Sequence, residues 1–91
     1  MPGGDSVLAF YVSGHTFCYC DLNGRSVVVK CQPERIPELL ESAVGTTPPD
    51  SHFNAKYWIG MDLQSVEESL LKELVANSFG IVRKKYGKKQ K

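Results

Sequence analysis

Residues 7–31 read VLAFYVSGHTFCYCDLNGRSVVVKC. β-branched and aromatic side chains fill three short runs, 7–12, 15–21 and 25–31, and the pairs Ser13-Gly14 and Asn23-Gly24 separate them. Asn-Gly is the strongest two-residue hairpin signal, because a type I′ turn needs positive φ at both central positions. The stretch therefore predicts a three-stranded antiparallel meander. A two-residue turn at Asn23-Gly24 sets Leu22 against Arg25, Cys20 against Val27 and Cys18 against Val29. Cys18, Cys20, Val27, Val29 and Cys31 then share one face, and a second two-residue turn at Ser13-Gly14 adds Val7, Ala9 and Tyr11 to it. The other face collects Leu8, Phe10, Val12, Phe17, Tyr19, Val28 and Lys30. Both faces are apolar, whereas a small antiparallel sheet normally keeps one face wet. Something beyond one layer of helix is expected to cover such a sheet.

Downstream, residues 33–44 contain ELLESAV and end at Gly45, a natural left-handed cap, before Thr46-Thr47-Pro48-Pro49. This is a short helix. Pro37 implies either a tight turn from Pro33 and a helix opening at Pro37, or a kinked first turn. Residues 51–54 and 57–63 read as a short strand and a longer one, with Tyr57, Ile59, Met61 and Leu63 on one face and Trp58, Gly60 and Asp62 on the other. A last helix opens at Ser65, which with Glu68 fits a capping box. Its core stripe is Leu71, Leu74, Val75, Ser78 and Val82, and Arg83, Lys84 and Lys85 sit where cations favour a helix end. The expectation is an α+β fold: an antiparallel sheet of about five strands in the order β-β-β-α-β-β-α, with helices packed on it.

At 91 residues the chain is expected to form one domain, 1–91, with 1–6 a flexible lead-in and 86–91 a basic tail. The hydrophobic share of 42% and charged share of 23% are those of a globular chain. Eleven basic against ten acidic residues leave a net charge of +1, so no global field draws the molecule to nucleic acid or anionic lipid. Charge is uneven, however: RKKYGKKQK at 83–91 holds six cations and no acid. That is a footprint for a polyanion or, more plainly, a solvated helix end. Three cysteines, an odd number, with no leader segment point to a reducing, cytoplasmic setting. No apolar run approaches the ~20 residues that span a bilayer, so no membrane association is expected.

Cys18, Cys20 and Cys31 fall on one predicted face, but structural zinc favours four ligands on turns, and buried small hydrophobes are the commoner role of free thiols. His15 and His52 belong to no metal or nucleophile motif. No phosphate loop, paired acids or cofactor fingerprint is present, so the chain reads as a binding module without a cofactor and not as an enzyme. Residues 52–58, HFNAKYW, combine an amide, a cation and aromatic rings at a strand entry. A surface reading nucleic acid or peptide uses such groups; the alternative is that Tyr57 and Trp58 serve packing while Asn54 makes a turn.

Taken together, FCYCDLNG through VVVKCQPER, the loop TTPPDSHFNAKYW and SLLKELVANSFGIVRKK resemble the MmcQ/YjbR family. The matching positions are Lys30-Cys31 with Pro33, Asn54 to Trp58 with Tyr57 where the family carries histidine, and the pair Ser78-Phe79. The resemblance implies a secretion-chaperone-like α+β fold, no enzymatic activity, and a DNA-binding role suggested for its wing-like hairpins. It places Lys30, Asn54, Lys56 and Trp58 near a binding surface; Arg83, Lys84 and Lys85 add charge independently. Family members open with one more helix, whereas only six residues precede Val7 here. An exposed apolar patch, covered by a second copy of the chain or by a protein partner, is therefore expected. Two functions follow as expectations: a module for DNA or RNA, or a chaperone-like protein-interaction adaptor.

Overall fold

The computed structural model describes residues 7–50 and 52–87. The strands are β1 (Val7–Val12), β2 (His15–Asp21), β3 (Ser26–Lys30), β4 (Thr46–Thr47) and β5 (Trp58–Asp62), and the helices are α1 (Ile36–Ser42) and α2 (Glu68–Tyr86). They form one antiparallel sheet in the order β1-β2-β3-β5-β4. The predicted α+β class and element order hold. The lead-in expected at 1–6 and residues 88–91 of the basic tail lie outside the described residues, while Tyr86 and Gly87 complete the helix end.

The β2–β3 register is the predicted one, with Cys18 opposite Val29 and Cys20 opposite Val27. The turn is not. Positive φ falls on Arg25 (54°), closing a four-residue loop in which Asp21 Oδ1 accepts the N–H groups of Asn23 (3.1 Å) and Gly24 (3.2 Å). The carboxylate satisfies two loop donors and so outcompetes the I′ geometry. Ser13 (53°) and Gly14 (78°) instead take the paired positive φ of a type I′ turn.

Between β1 and β2 the register shifts: Tyr11 faces Thr16 but Phe10 faces Cys18, leaving Phe17 as the extra residue of a β-bulge. Leu8 and Phe10 therefore join Cys20 and Cys18 on the helix-covered side, and Val7, Ala9 and Tyr11 turn to the other, the reverse of the sequence expectation. The bulge also directs Phe17 toward α2, where its ring meets Phe79 edge-on at 5.2 Å. Burial of that ring against the helix is the physical gain that an unbroken alternation would forfeit.

Cys18, Val27, Val29, Cys31, Ile36, Ile59, Met61 and Leu74 build one core between sheet and helices. Along α2, Leu74, Ser78 and Val82 are fully buried, and Leu71 and Val75 flank them. Ser78 is the one buried polar side chain among the described residues. Its Oγ donates to the Phe17 carbonyl at 2.6 Å, the backbone oxygen at the bulge, and accepts the Lys30 N–H at 2.9 Å. The helix is thereby clasped to both strands that position the site.

Two further expectations are corrected, and one open alternative is decided. Residues 51–54 are not a strand: Ser51 lies outside the described residues, His52 and Phe53 form a turn and bend, and the fourth strand is Thr46–Thr47. Gly45 (φ 91°) lets the chain enter that strand, because a Cβ there would lie 2.5 Å from the Val66 nitrogen. Ser65 does not cap the last helix; its hydroxyl donates to Asp62 Oδ2 at 2.8 Å, and α2 begins at Glu68 after Glu67. Of the two readings around Pro37, the structure has turns at 33–35 followed by a helix with the proline in its first turn.

Candidate nucleic-acid interface

The sheet side away from α2 carries Lys30 and Trp58 of the residues singled out in the sequence. Lys30 ends β3 directly opposite Trp58 of β5, and the alternation that buries Val29 and Ile59 in the core directs both outward. The Lys30 Nζ lies 5.4 Å from the centre of the Trp58 ring, within cation–π reach. Trp58 is half-buried in a cluster with Tyr19 (5.8 Å) and Phe53 (5.3 Å), and Tyr19 and Phe53 meet at 4.9 Å. The proline-rich loop after β4 returns across this face and delivers Phe53 to the cluster. Trp58 thus belongs to an aromatic layer on the face opposite the main core.

Tyr57 is 40% exposed, with Lys56 Nζ 5.7 Å from its ring. It also lines a recess of about 250 Å³ with Lys30, Gln32, Ile81 and Lys85. Gln32 is held by a reciprocal amide pair with Asn77 of α2: Gln32 Nε2 donates to Asn77 Oδ1 (3.2 Å) and Asn77 Nδ2 donates to Gln32 Oε1 (2.9 Å). This fixes the exit of β3 against the helix. Lys30, Lys56, Trp58 and Lys85 are therefore brought to one margin of the molecule.

Asn54 lies in the turn that leads into that margin, whereas Arg83 and Lys84 stand apart from it. Asn54 is a turn residue: its Oδ1 accepts the Lys56 N–H at 3.0 Å and its carbonyl accepts those of Tyr57 (3.0 Å) and Trp58 (3.1 Å). Arg83 and Lys84 line a separate hollow with Gly80 and Gly87. Successive helical residues point about 100° apart, so a run of three cations cannot share one face. Tyr19, Phe53 and Gln32 complete the site beyond the candidate residues; Phe53 carried a signal as a ring of the HFNAKYW stretch and Tyr19 through its shared parity with Lys30 across the Cys20–Val27 register, while Gln32 carried none.

The thiols face the other way. Cys18 and Cys20 border an apolar groove of about 660 Å³ between the β1–β2 hairpin and α2, walled by Phe10, Phe17, Leu71 and Phe79. Burial pushes the Cys18 thiol up to about 11, with Cys20 adding to the rise, and burial likewise raises Cys31. Protonated thiols of this kind are weak nucleophiles at neutral pH. His15 stacks on Tyr86 at 3.5 Å, while His52 lies 3.5 Å from Asp50 in the loop. Among the described residues no group of three or more His, Cys, Asp or Glu is placed to hold a metal ion, and no helix is long and apolar enough to cross a membrane.

Two solved structures share the architecture. A crystal structure of a protein from Pseudomonas syringae superposes with a TM-score of 0.73 at 19% identity, covering 86% of this chain and 78% of that one. A Deinococcus radiodurans protein with a DUF419 domain gives a TM-score of 0.71 at 26% identity over 96% of this chain and 75% of its own. No curated protein matches the sequence. The YjbR family model matches residues 1–81, nearly the whole chain and every strand described above, and the chain belongs to that family.

Proposed function

We propose that the chain is a binding module for single-stranded nucleic acid, with the margin around Lys30 and Trp58 as its contact surface. The observation that carries this reading is the Lys30 ammonium 5.4 Å from the Trp58 ring, beside a recess that Lys30 shares with Lys85 and the exposed Tyr57. Single strands are held by cations that meet phosphates and rings that stack on bases, each stack worth about 1–3 kcal/mol. Tyr57 is the ring open to a base. Trp58, packed between Tyr19 and Phe53, supports the Lys30 stem, and Lys30, Lys56 and Lys85 meet phosphates. Asp21 and Asp50 line the hollow at the far end of the same face, which limits the contact to a few nucleotides.

Three neutralised phosphates give log K against log salt a slope of about −2 on a single strand, so fourfold more salt weakens binding by about 15- to 20-fold. The test is fluorescence anisotropy of labelled oligo-dT and oligo-U at two salt concentrations. Lys30→Ala and Lys85→Ala should each flatten the slope by about 0.7. Arg83→Ala, on the separate hollow, should leave it unchanged. Absence of binding, indifference to salt, or an Arg83→Ala effect equal to that of Lys30→Ala overturns the reading.

A further inference from the structure

The two edges of the sheet are built differently. At one edge β4 is two residues long and is followed at once by Pro48-Pro49, which offer no N–H to a further strand. At the other edge β1 is six residues long and paired only with β2. It contains no charge, proline or glycine, the devices that normally blunt an edge. Its side chains are exposed on both faces: Val7 is 48%, Leu8 45%, Phe10 46% and Tyr11 64% accessible. We infer that β1 is a pairing edge and that its partner is β1 of a second copy of this chain, running antiparallel about a two-fold axis normal to the sheet.

Self-complementarity singles out this occupant. A two-fold normal to the sheet keeps every side chain on its own face, so facing residues must share parity along β1. Centred on Ala9, the pairing sets Leu8 against Phe10 of the other copy on the helix-covered side. On the open side it sets Val7 against Tyr11. Aliphatic residues thus meet rings in all four outer pairs, the cross-strand combination that stabilises sheets, and small alanines meet at the axis. Identical edges also bring identical charges together, and β1 has none to repel.

The area is adequate for a weak dimer. Two aromatic and two aliphatic side chains at these exposures offer on the order of 350–400 Å² per copy. With the backbone edge added, the contact approaches about 1,000 Å² in total, the size at which association is reversible and falls in the micromolar range. This inference goes beyond nucleic-acid binding and does not depend on it.

Sedimentation velocity of the full chain from about 1 to about 200 µM tests it, bracketing a micromolar constant. The wild type should pass from monomer to dimer. Ala9→Lys, which places two ammonium groups face to face at the axis, should weaken dimerisation at least about tenfold. Tyr11→Lys, on a largely exposed position that tolerates a long polar chain, should do the same and stands in if Ala9→Lys does not fold. Val44→Glu, at a 76% exposed position just before β4 on the opposite edge of the sheet, should leave the dimer intact. A wild type that stays monomeric throughout, or a dimer dissolved by Val44→Glu and not by the β1 variants, overturns the inference.

Discussion

Removing the Ser78 hydroxyl should destabilise the fold far more than an average surface change. Ser78 is fully buried in the middle of α2, and its one oxygen serves two strands, donating to the Phe17 carbonyl at 2.6 Å and accepting from the Lys30 N–H at 2.9 Å. In Ser78→Ala both backbone groups lose their partner in a dry interface. An orphaned buried donor or acceptor costs about 1–3 kcal/mol each, and since Lys30 is only half-buried the sum should fall near 2–4 kcal/mol. For a domain of this size that is a drop of about 10–25 °C in Tm. The assay is urea and thermal unfolding followed by circular dichroism, with Ser42→Ala as control: that hydroxyl donates to the Glu38 carbonyl on the exposed flank of α1. The control should cost less than about 0.5 kcal/mol, as exposed substitutions do. If Ser78→Ala falls within about 0.5 kcal/mol of the control, the two hydrogen bonds do not clasp helix to sheet as described.

Tyr57→Ala and Trp58→Ala should separate. Loss of the exposed Tyr57 ring should weaken oligonucleotide binding by about tenfold or more with little change in Tm, whereas loss of Trp58, packed on Tyr19 and Phe53, should cost about 2–4 kcal/mol of stability as well. Titration of Cys18 should make the fold alkali-sensitive. Its thiol is raised from 9.0 to about 11, so the folded chain keeps a proton that the unfolded chain releases, and stability should fall as pH rises through that window. Cys18→Ala should flatten the slope seen by urea unfolding between pH about 8 and about 10.5, and an identical slope in the variant would count against a buried thiol. Gly45→Ala should destabilise by more than about 2 kcal/mol in the same assay, because it combines φ of 91° with a Cβ 2.5 Å from the Val66 nitrogen.

Parity carried much of the architecture in readable form. The Cys18–Val29 and Cys20–Val27 pairs, the burial of Ile59 and Met61 and the outward aim of Trp58 all follow from a period of two, and Leu74, Ser78 and Val82 from a period of four along a helix. The bulge at Phe17 was hidden because HTFCYC alternates without a glycine or other irregularity to mark the extra residue; only the distant Ser78 and Phe79 give Phe17 a reason to turn inward. Local competition obscured the caps and turns in the same way. Asp21 captured the Asn23-Gly24 loop and Asp62 captured Ser65, each by supplying an acceptor two or three residues away that composition alone does not rank against the standard motif. β4 is hidden in the sequence because two threonines before two prolines, just past a helix that ends at Gly45, resemble a stop more than a strand. At the candidate site Lys30, Lys56 and Trp58 were legible from position in their strands and turn. The separation of Lys85 from Arg83 and Lys84 was available from helical geometry but masked by their adjacency in the chain.

The unequal borders of the sheet set a limit on growth. A chain with two sticky margins could add copies without end, as fibrils do. Here Pro48-Pro49 closes one margin, so once β1 is satisfied no open strand edge remains among the described residues to recruit a third molecule. Assembly through the open side is self-terminating, and an uncharged hydrophobic strand that would ordinarily endanger solubility becomes compatible with a small, finite particle.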